Sequence, residues 1–381
     1  MSREITRRNL LKGALFGAAG AAGAGMLAGC TPQSEETKLS SVEEDVKNAR
    51  AAQYAGKAAY TEDVDIVVVG AGASGLTAAV EALLNGASVL VLESQTKAGG
   101  NGSTTSVVMG VGTPMQEKLG ISLTPAEIIN AEMETFNYSV DGVRWSSLVR
   151  NSADNIQWLI DQGCQFNGNV DNYHGVGVVD TGHWWTGDTG RDGETGYVAS
   201  MANRVEELGG RILYEVVGKA LIMDDDGAAA GVYAETQDGV LQVNAKAVIL
   251  ATGGYANNND ILEEKGYDSD GLAWFGMPGH NGDGILMALA AGGKSWLNNS
   301  SLMEYPMNPK IGRKSNVISR MPNSLWVNGG GTRFVDENCS ARVPARAALV
   351  VRTQDVSYAV FDQAILDAAK SASEDVASVV E

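Results

Sequence analysis

The sequence predicts an α/β fold organised on a parallel sheet, and three adjoining features predict it. Ile66-Val67-Val68-Val69 is an apolar, β-branched run, and the glycine-rich turn Gly70-Ala71-Gly72-Ala73-Ser74-Gly75 follows it directly. A helical pattern from Ser74 to Asn85 then leads into a second apolar run, Ser88 to Leu92. Two buried strands joined through a helix lie parallel, because such a crossover returns the chain to the same end of the sheet.

The remaining elements follow in order. Helical patterns run from Pro125 to Thr135, from Asp141 to Gln162 and from about Thr195 to Leu208. Short β-rich segments come next, Arg211 to Val217, Ala220 to Met223, Ala230 to Thr236 and Val240 to Leu250. Turn signals at Asp224-Asp225-Asp226-Gly227 and Asp238-Gly239 separate the last three. A β-meander feeding back into a buried strand fits an FAD-type, Rossmann-like dinucleotide domain better than a nicotinamide-only one. Gly175 to Gly190 phases neither as helix nor as strand, and Gly182-His183-Trp184-Trp185-Thr186 reads as a paired-aromatic loop at its centre. Two readings of that pair stand: stacking on a flat organic substrate, or plugging the loop onto the core. His174 and His280 are isolated and read as neutral structural residues, and three scattered histidines make no metal site.

The 381 residues allow two domains, and 44% hydrophobic against 19% charged residues is ordinary globular composition. Thr6-Arg7-Arg8-Asn9-Leu10-Leu11-Lys12 resembles a twin-arginine export signal, and after an uncharged run from Gly13, Leu27-Ala28-Gly29-Cys30 resembles a lipobox. The expectation is export in the folded state and a lipid anchor on Cys30 at the outer face of the cytoplasmic membrane. Removing residues 1–29 takes away Arg3, Arg7, Arg8 and Lys12 but only one acid, Glu4, so the net charge of −18 becomes −21. Such acidity argues against nucleic acid as a partner. With Cys30 acylated, Cys164 and Cys339 remain, and no Cys-x-x-Cys-His or clustered spacing announces a haem, an iron–sulfur centre or another metal.

The turn carries the chemistry. Gly70 permits the tight bend, Gly72 lets a pyrophosphate approach the backbone, and Gly75 allows helix and strand to pack closely. The helix start at Ala73 and Ser74 then offers free N–H groups and a positive dipole end to an anion. Glu93, closing the second strand, is placed to accept from the hydroxyls of an adenosine ribose.

Further on stand Lys97-Ala98-Gly99-Gly100-Asn101-Gly102-Ser103-Thr104, Val248-Ile249-Leu250-Ala251-Thr252-Gly253-Gly254, Asn281-Gly282-Asp283-Gly284-Ile285 and Gly331-Thr332-Arg333-Phe334-Val335-Asp336-Glu337. Together with the first turn, these segments resemble the fumarate reductase and succinate dehydrogenase flavoprotein superfamily, which also holds urocanate reductases and 3-ketosteroid dehydrogenases. The resemblance runs from about Val64 to Gln363. It implies FAD as cofactor, with Gly99, Gly100, Asn101 and Ser103 along the pyrophosphate and flavin edge, Ala251, Thr252 and Gly253 close to it, and Asp283 in the same set. No histidine stands near the glycine-rich segments as covalent attachment in succinate dehydrogenases requires, so the FAD is expected to be non-covalent.

The resemblance also implies a proton-donating arginine shortly after the Arg-Phe-x-x-Glu segment; Arg342 is nearest, one residue later than the fumarate reductase spacing. Arg320 matches a relay arginine, but the acidic partner expected three residues earlier is Val317. Where the fumarate site has His-Pro, this chain has Tyr305-Pro306. The implied organisation is a signal peptide at 1–29, a tether at 30–62, an FAD-binding domain at 63–317 and part of an α+β capping domain at 318–381. The family normally continues beyond this point with a glycine-rich return to the flavin. The implied function is extracytoplasmic reduction of a conjugated double bond in an organic acid or flat acceptor, as in anaerobic respiration, with electrons from a separate membrane cytochrome or quinol-linked donor. A ketosteroid-type dehydrogenase using Tyr305 and a non-catalytic nucleotide-binding fragment are the alternatives.

Overall fold

The structure, a computed structural model, describes residues 39–135, 138, 141–171, 180–186, 196–272, 277–294, 323–338, 350–351 and 353–372. The export signal, Cys30, His174, Tyr305, Val317, Arg320, Cys339 and Arg342 lie outside the described residues.

The expected strand, turn, helix, strand unit is formed by β1 (Ala58–Val69), α2 (Ala73–Leu84) and β2 (Val89–Glu93). A short helix, α1 (Leu39–Asn48), precedes it. Later come α7 (Tyr197–Glu207), β6 (Arg211–Tyr214), β7 (Val217–Met223), β8 (Ala229–Thr236), β9 (Gly239–Leu250), α8 (Asn259–Glu264) and α9 (Asp283–Ala290). The main sheet runs β6-β2-β1-β9-β8-β7. Its first four strands are parallel, with Val69 of β1 opposite both Leu92 of β2 and Leu250 of β9. Strands β7, β8 and β9 are the expected antiparallel meander.

Alternation along the central strands sorts the core into two layers. Val67, Val69, Leu90 and Leu92 face Ile261, Leu262, Leu286 and Met287 of α8 and α9. Val68, Val89 and Val91 face Leu76, Ala79 and Val80 of α2, with Met201 and Val205 of α7 behind them. Because both faces are covered, β2 reads as a continuous apolar run, as strands of parallel sheets do.

Between β2 and α7 the chain builds a smaller unit: β3 (Val107–Met109), α3 (Pro114–Lys118), α4 (Pro125–Thr135), α5 (Gly142–Arg150), α6 (Ser152–Asp161), β4 (Phe166–Asp171) and β5 (Gly182–Trp185). The strands form a sheet ordered β3-β5-β4. A two-stranded ribbon, β10 (Leu325–Asn328) with β11 (Ser357–Val360), and a helix, α10 (Gln363–Ala372), complete the described elements. Arg333 and Glu337 of the Arg-Phe-x-x-Glu segment clamp this ribbon: the buried Glu337 carboxylate accepts the Trp326 N–H at 2.8 Å and the guanidinium of Arg333 at 2.6 Å.

Three expectations need correction. The tether read over residues 30–62 does not hold from Leu39 onward, because Val42 and Ala49 of the α1 region are buried in the core. There β1 begins at Ala58; its polar first half carries no apolar strand pattern because it is largely exposed and held by pairing with Val240 to Ala245 of β9. The helical pattern from Asp141 to Gln162 is two helices, broken at Asn151, where the Ser152 hydroxyl donates to the Val149 carbonyl and accepts the Val111 N–H.

The paired-aromatic loop is strand β5. Its alternation buries His183 and Trp185 and turns Trp184 to the opposite face. Trp185 stacks on Tyr197 at a ring separation of 5.4 Å and tilts against Phe166 at 4.6 Å. Trp184 borders a shallow surface hollow beside Asn167, Asn169 and Asp171. The two indoles therefore do not grip one substrate together.

Candidate cofactor site

Where β1, β2 and β9 end together, the crossover to β2 leaves in one direction and the pairing with β9 lies in the other, which opens a crevice at the carboxyl ends of the strands. The crevice is a cavity of about 560 Å³. Gly70, Gly72, Ala73, Ser74, Glu93, Gly99, Gly100 and Asn101 line one side, and Ala251, Thr252, Gly253 and Asp283 the other. Gly75 and Ser103 of the expected set stand behind this wall rather than on it.

The glycines divide by what a side chain would strike. A Cβ on Gly75 would lie 1.9 Å from the Gly70 carbonyl oxygen, and one on Gly70, at φ +106°, would lie 2.4 Å from that of Ala251. These two are required by the protein's own packing. Gly99, at φ +137°, faces the Ser103 hydroxyl, which takes the room a Cβ would need. Gly72 is different: a Cβ there would meet only the Gly99 carbonyl oxygen, at 3.8 Å, and one on Gly100 would meet nothing within 4 Å. Both line the cavity; Gly100 also sits at φ +49°, a conformation that itself favours glycine, so it is the bareness at Gly72 that serves what enters.

At α2 no side chain caps the amino terminus, so the first N–H groups and the positive dipole end are left to the cavity. Glu93 is buried, and its carboxylate is oriented by backbone: Oε2 accepts the Ala71 N–H and Oε1 the Gln95 N–H, each at 2.8 Å. Remaining lone pairs on both oxygens suit a pair of vicinal hydroxyls. An anion seat at a helix start and an oriented carboxylate nearby fit the pyrophosphate and adenosine ribose of a dinucleotide.

The far wall is built by two segments laced together. Thr252 Oγ1 accepts the Gly284 N–H at 3.0 Å, and the Asn101 amide oxygen accepts the Met277 N–H at 3.1 Å, tying the Gly99–Thr104 segment to the approach to α9. Asp283 opens α9, and burial raises its carboxyl above the ordinary range, opposed by Lys219 and reinforced by Asp45 and Glu235.

His280 was missed as a cavity residue. Isolated in sequence, it folds onto Gly253 and Gly254 and lines the cavity. The one available signal was its position just before the Asn281-Gly282-Asp283 segment. His183, by contrast, is core: its Nδ1–H donates to the Thr181 carbonyl at 2.9 Å, Nε2 accepts from the Thr113 hydroxyl at 2.7 Å, and burial holds it neutral. Among the described residues no group of three or more His, Cys, Asp or Glu is arranged for a metal ion, and no helix is long and apolar enough to cross a membrane.

Comparison with known proteins places the chain among flavoproteins. The chain is 30% identical over 318 residues to the vinyl phenol reductase of Lactiplantibacillus plantarum, covering 80% of this chain and 63% of that protein. It is 28% identical over 339 residues to the fumarate reductase (cytochrome) of Shewanella frigidimarina, covering 87% of this chain and 57% of that one. The chain thus spans less than two thirds of the length of these relatives. Its fold is like that of a 3-ketosteroid-delta4-(5alpha)-dehydrogenase from Rhodococcus jostii RHA1 crystallised with 4-androstene-3,17-dione, at a TM-score of 0.68 and 24% identity over 86% of this chain and 71% of that one. Residues 65–380 match the family described as FAD binding domain. That match spans most of the chain, and the chain belongs to this FAD-binding oxidoreductase family.

Proposed function

We propose that the protein is an FAD-dependent reductase of a conjugated carbon–carbon double bond, acting outside the cytoplasmic membrane on a flat organic acceptor bulkier than fumarate. The observation that carries the reading is the cavity at the ends of β1, β2 and β9, whose bare glycines and oriented Glu93 fit a dinucleotide. Bound there, FAD would supply two-electron, hydride-transfer chemistry toward an activated alkene. The amino terminus of α2 would hold the pyrophosphate and Glu93 the ribose. A proton must reach the second alkene carbon, and Arg342 is the proposed donor, with Arg320 in its relay. A guanidinium gives up a proton only if it is replaced at once, because it hardly deprotonates in proteins.

The acceptor follows from the substitutions. A fumarate site pairs two carboxylates, each best held by charged donors. Here Tyr305 replaces a histidine ligand and Val317 the relay acid. Loss of one charged ligand costs on the order of 1.5–3 kcal/mol, roughly tenfold to a hundredfold in affinity. Similarity to a vinyl phenol reductase supports an acceptor with an aromatic ring conjugated to the double bond. The twin-arginine and lipobox segments support export and anchoring, and a separate membrane cytochrome or quinol-linked donor would then re-reduce the FAD.

The test is oxidation of a reduced viologen dye by the protein expressed from its complete reading frame. Fumarate, urocanate, vinyl phenols, cinnamate-like acids and enone steroids serve as acceptors. The reading expects an aromatic conjugated acceptor to outpace fumarate. Fumarate as the best acceptor overturns the substrate assignment, a ketosteroid as the sole reactive partner favours the dehydrogenase, and no turnover with any acceptor contradicts the enzyme reading.

A further inference from the structure

We infer that His280 is a positioning residue for FAD, holding the Ala251–Gly254 wall of the cavity in its binding conformation through the backbone of Gly254. The inference rests on FAD occupying this cavity.

The imidazole occupies the space beside Gly253. A Cβ at that position would fall 2.7 Å from both Cε1 and Nδ1, and the backbone there is left-handed, at φ +80°. Gly253 therefore adopts a conformation that other residues rarely reach, and the ring fills the side from which it would otherwise be unsupported. The Gly254 N–H donates to His280 Nδ1 at 3.0 Å. An acceptor at Nδ1 requires a neutral ring with its proton on Nε2. Burial, which pushes the imidazole below its ordinary range, favours that form.

This contact belongs to a zipper between two loops of the cavity wall. The Gly282 N–H donates to the Gly254 carbonyl at 3.0 Å, and the Asn257 N–H to the His280 carbonyl at 2.9 Å. Asn258 Nδ2 donates to the Asn281 carbonyl at 2.9 Å. Among these the His280 ring alone supports Gly253 and Gly254 by a side chain that itself lines the cavity. Without it, the wall must find its conformation at the moment FAD binds, and that ordering cost appears as weaker retention.

The experiment follows FAD release from diluted holoprotein by the return of free-flavin fluorescence, for wild type, His280→Ala, His280→Asn and His280→Gln. Asn places Oδ1 where the ring has Nδ1, whereas Gln carries its oxygen one bond farther out, so only Asn can accept from Gly254. One neutral hydrogen bond is worth about threefold to tenfold. Release is expected to be about threefold to tenfold faster in the Ala and Gln variants, and within about twofold of wild type in the Asn variant. Rescue by Asn and not by Gln is a pattern that general destabilisation does not produce. Release as slow in Ala as in wild type overturns the inference, as does release as fast in Asn as in Gln with equal melting temperatures. If the Ala variant fails to fold, the Asn and Gln pair decides. A wild-type preparation without FAD overturns the cavity reading itself, and is scored before any variant.

Discussion

Glu93 and Ala71 meet at the end of the first two strands, the buried carboxylate accepting the N–H of the turn at 2.8 Å, so the proposed ribose acid and the proposed pyrophosphate turn are fixed to one another. Replacing Glu93 by Gln keeps the shape but turns an amide donor toward the N–H of Ala71 or Gln95. FAD affinity is expected to fall by about tenfold to a hundredfold, the worth of hydrogen bonds to a charged group, about 1.5–3 kcal/mol. Equilibrium titration of FAD measures it, and an unchanged affinity would remove Glu93 from the site.

The second and third glycines of the first turn should fail in different ways. In Gly72→Ala the new methyl meets only the Gly99 carbonyl, at ordinary contact distance, so the melting temperature of the flavin-free protein should hold while FAD binding weakens by tenfold or more, on the order of 1.4 kcal/mol. In Gly75→Ala the methyl would fall 1.9 Å from the Gly70 carbonyl oxygen, so the fold itself should be destabilised, by about 1–3 kcal/mol for an overpacked position. Thermal melts beside flavin content separate the two, and equal behaviour would contradict the division between packing and ligand glycines.

Arg342→Ala should lower turnover with the preferred conjugated acceptor by at least about a hundredfold, the usual scale for loss of a general acid, while leaving bound FAD unchanged. Reduced-viologen oxidation reads the first quantity and the flavin spectrum the second. Undiminished turnover would take this arginine out of the proposed mechanism.

Export and anchoring are separable. Changing Arg7 and Arg8 together to Lys should retain the protein inside the cell, and Cys30→Ala should release it from the membrane fraction. Fractionation and immunoblotting of both variants are the check, and unchanged distribution of both would refute the lipoprotein reading.

The parallel core was legible because its chemistry is local: Val89 to Leu92 of β2 and Val67 to Val69 at the end of β1 are buried and written as unbroken apolar runs, and the glycines of the turn sit at fixed offsets from them. What depends on distant chain was not legible. The first half of β1 is polar, and only its pairing with β9 makes it a strand. His183 and Trp184-Trp185 looked like a loop because glycines surround them; the contacts that bury His183 and Trp185 come from Thr113, Phe166 and Tyr197, far away in sequence. His280 is isolated in sequence for the same reason, since its contacts with Gly253 and Gly254 are made by the fold alone.

The central claim, that this cavity holds FAD without a covalent link, is tested most directly by acid precipitation of the purified holoprotein. His280 is the histidine of the described cavity wall, and its Nδ1 is engaged by the Gly254 N–H. Yellow FAD in the supernatant and a colourless pellet is the predicted result; flavin retained in the pellet, or FMN in place of FAD in the supernatant, would contradict it.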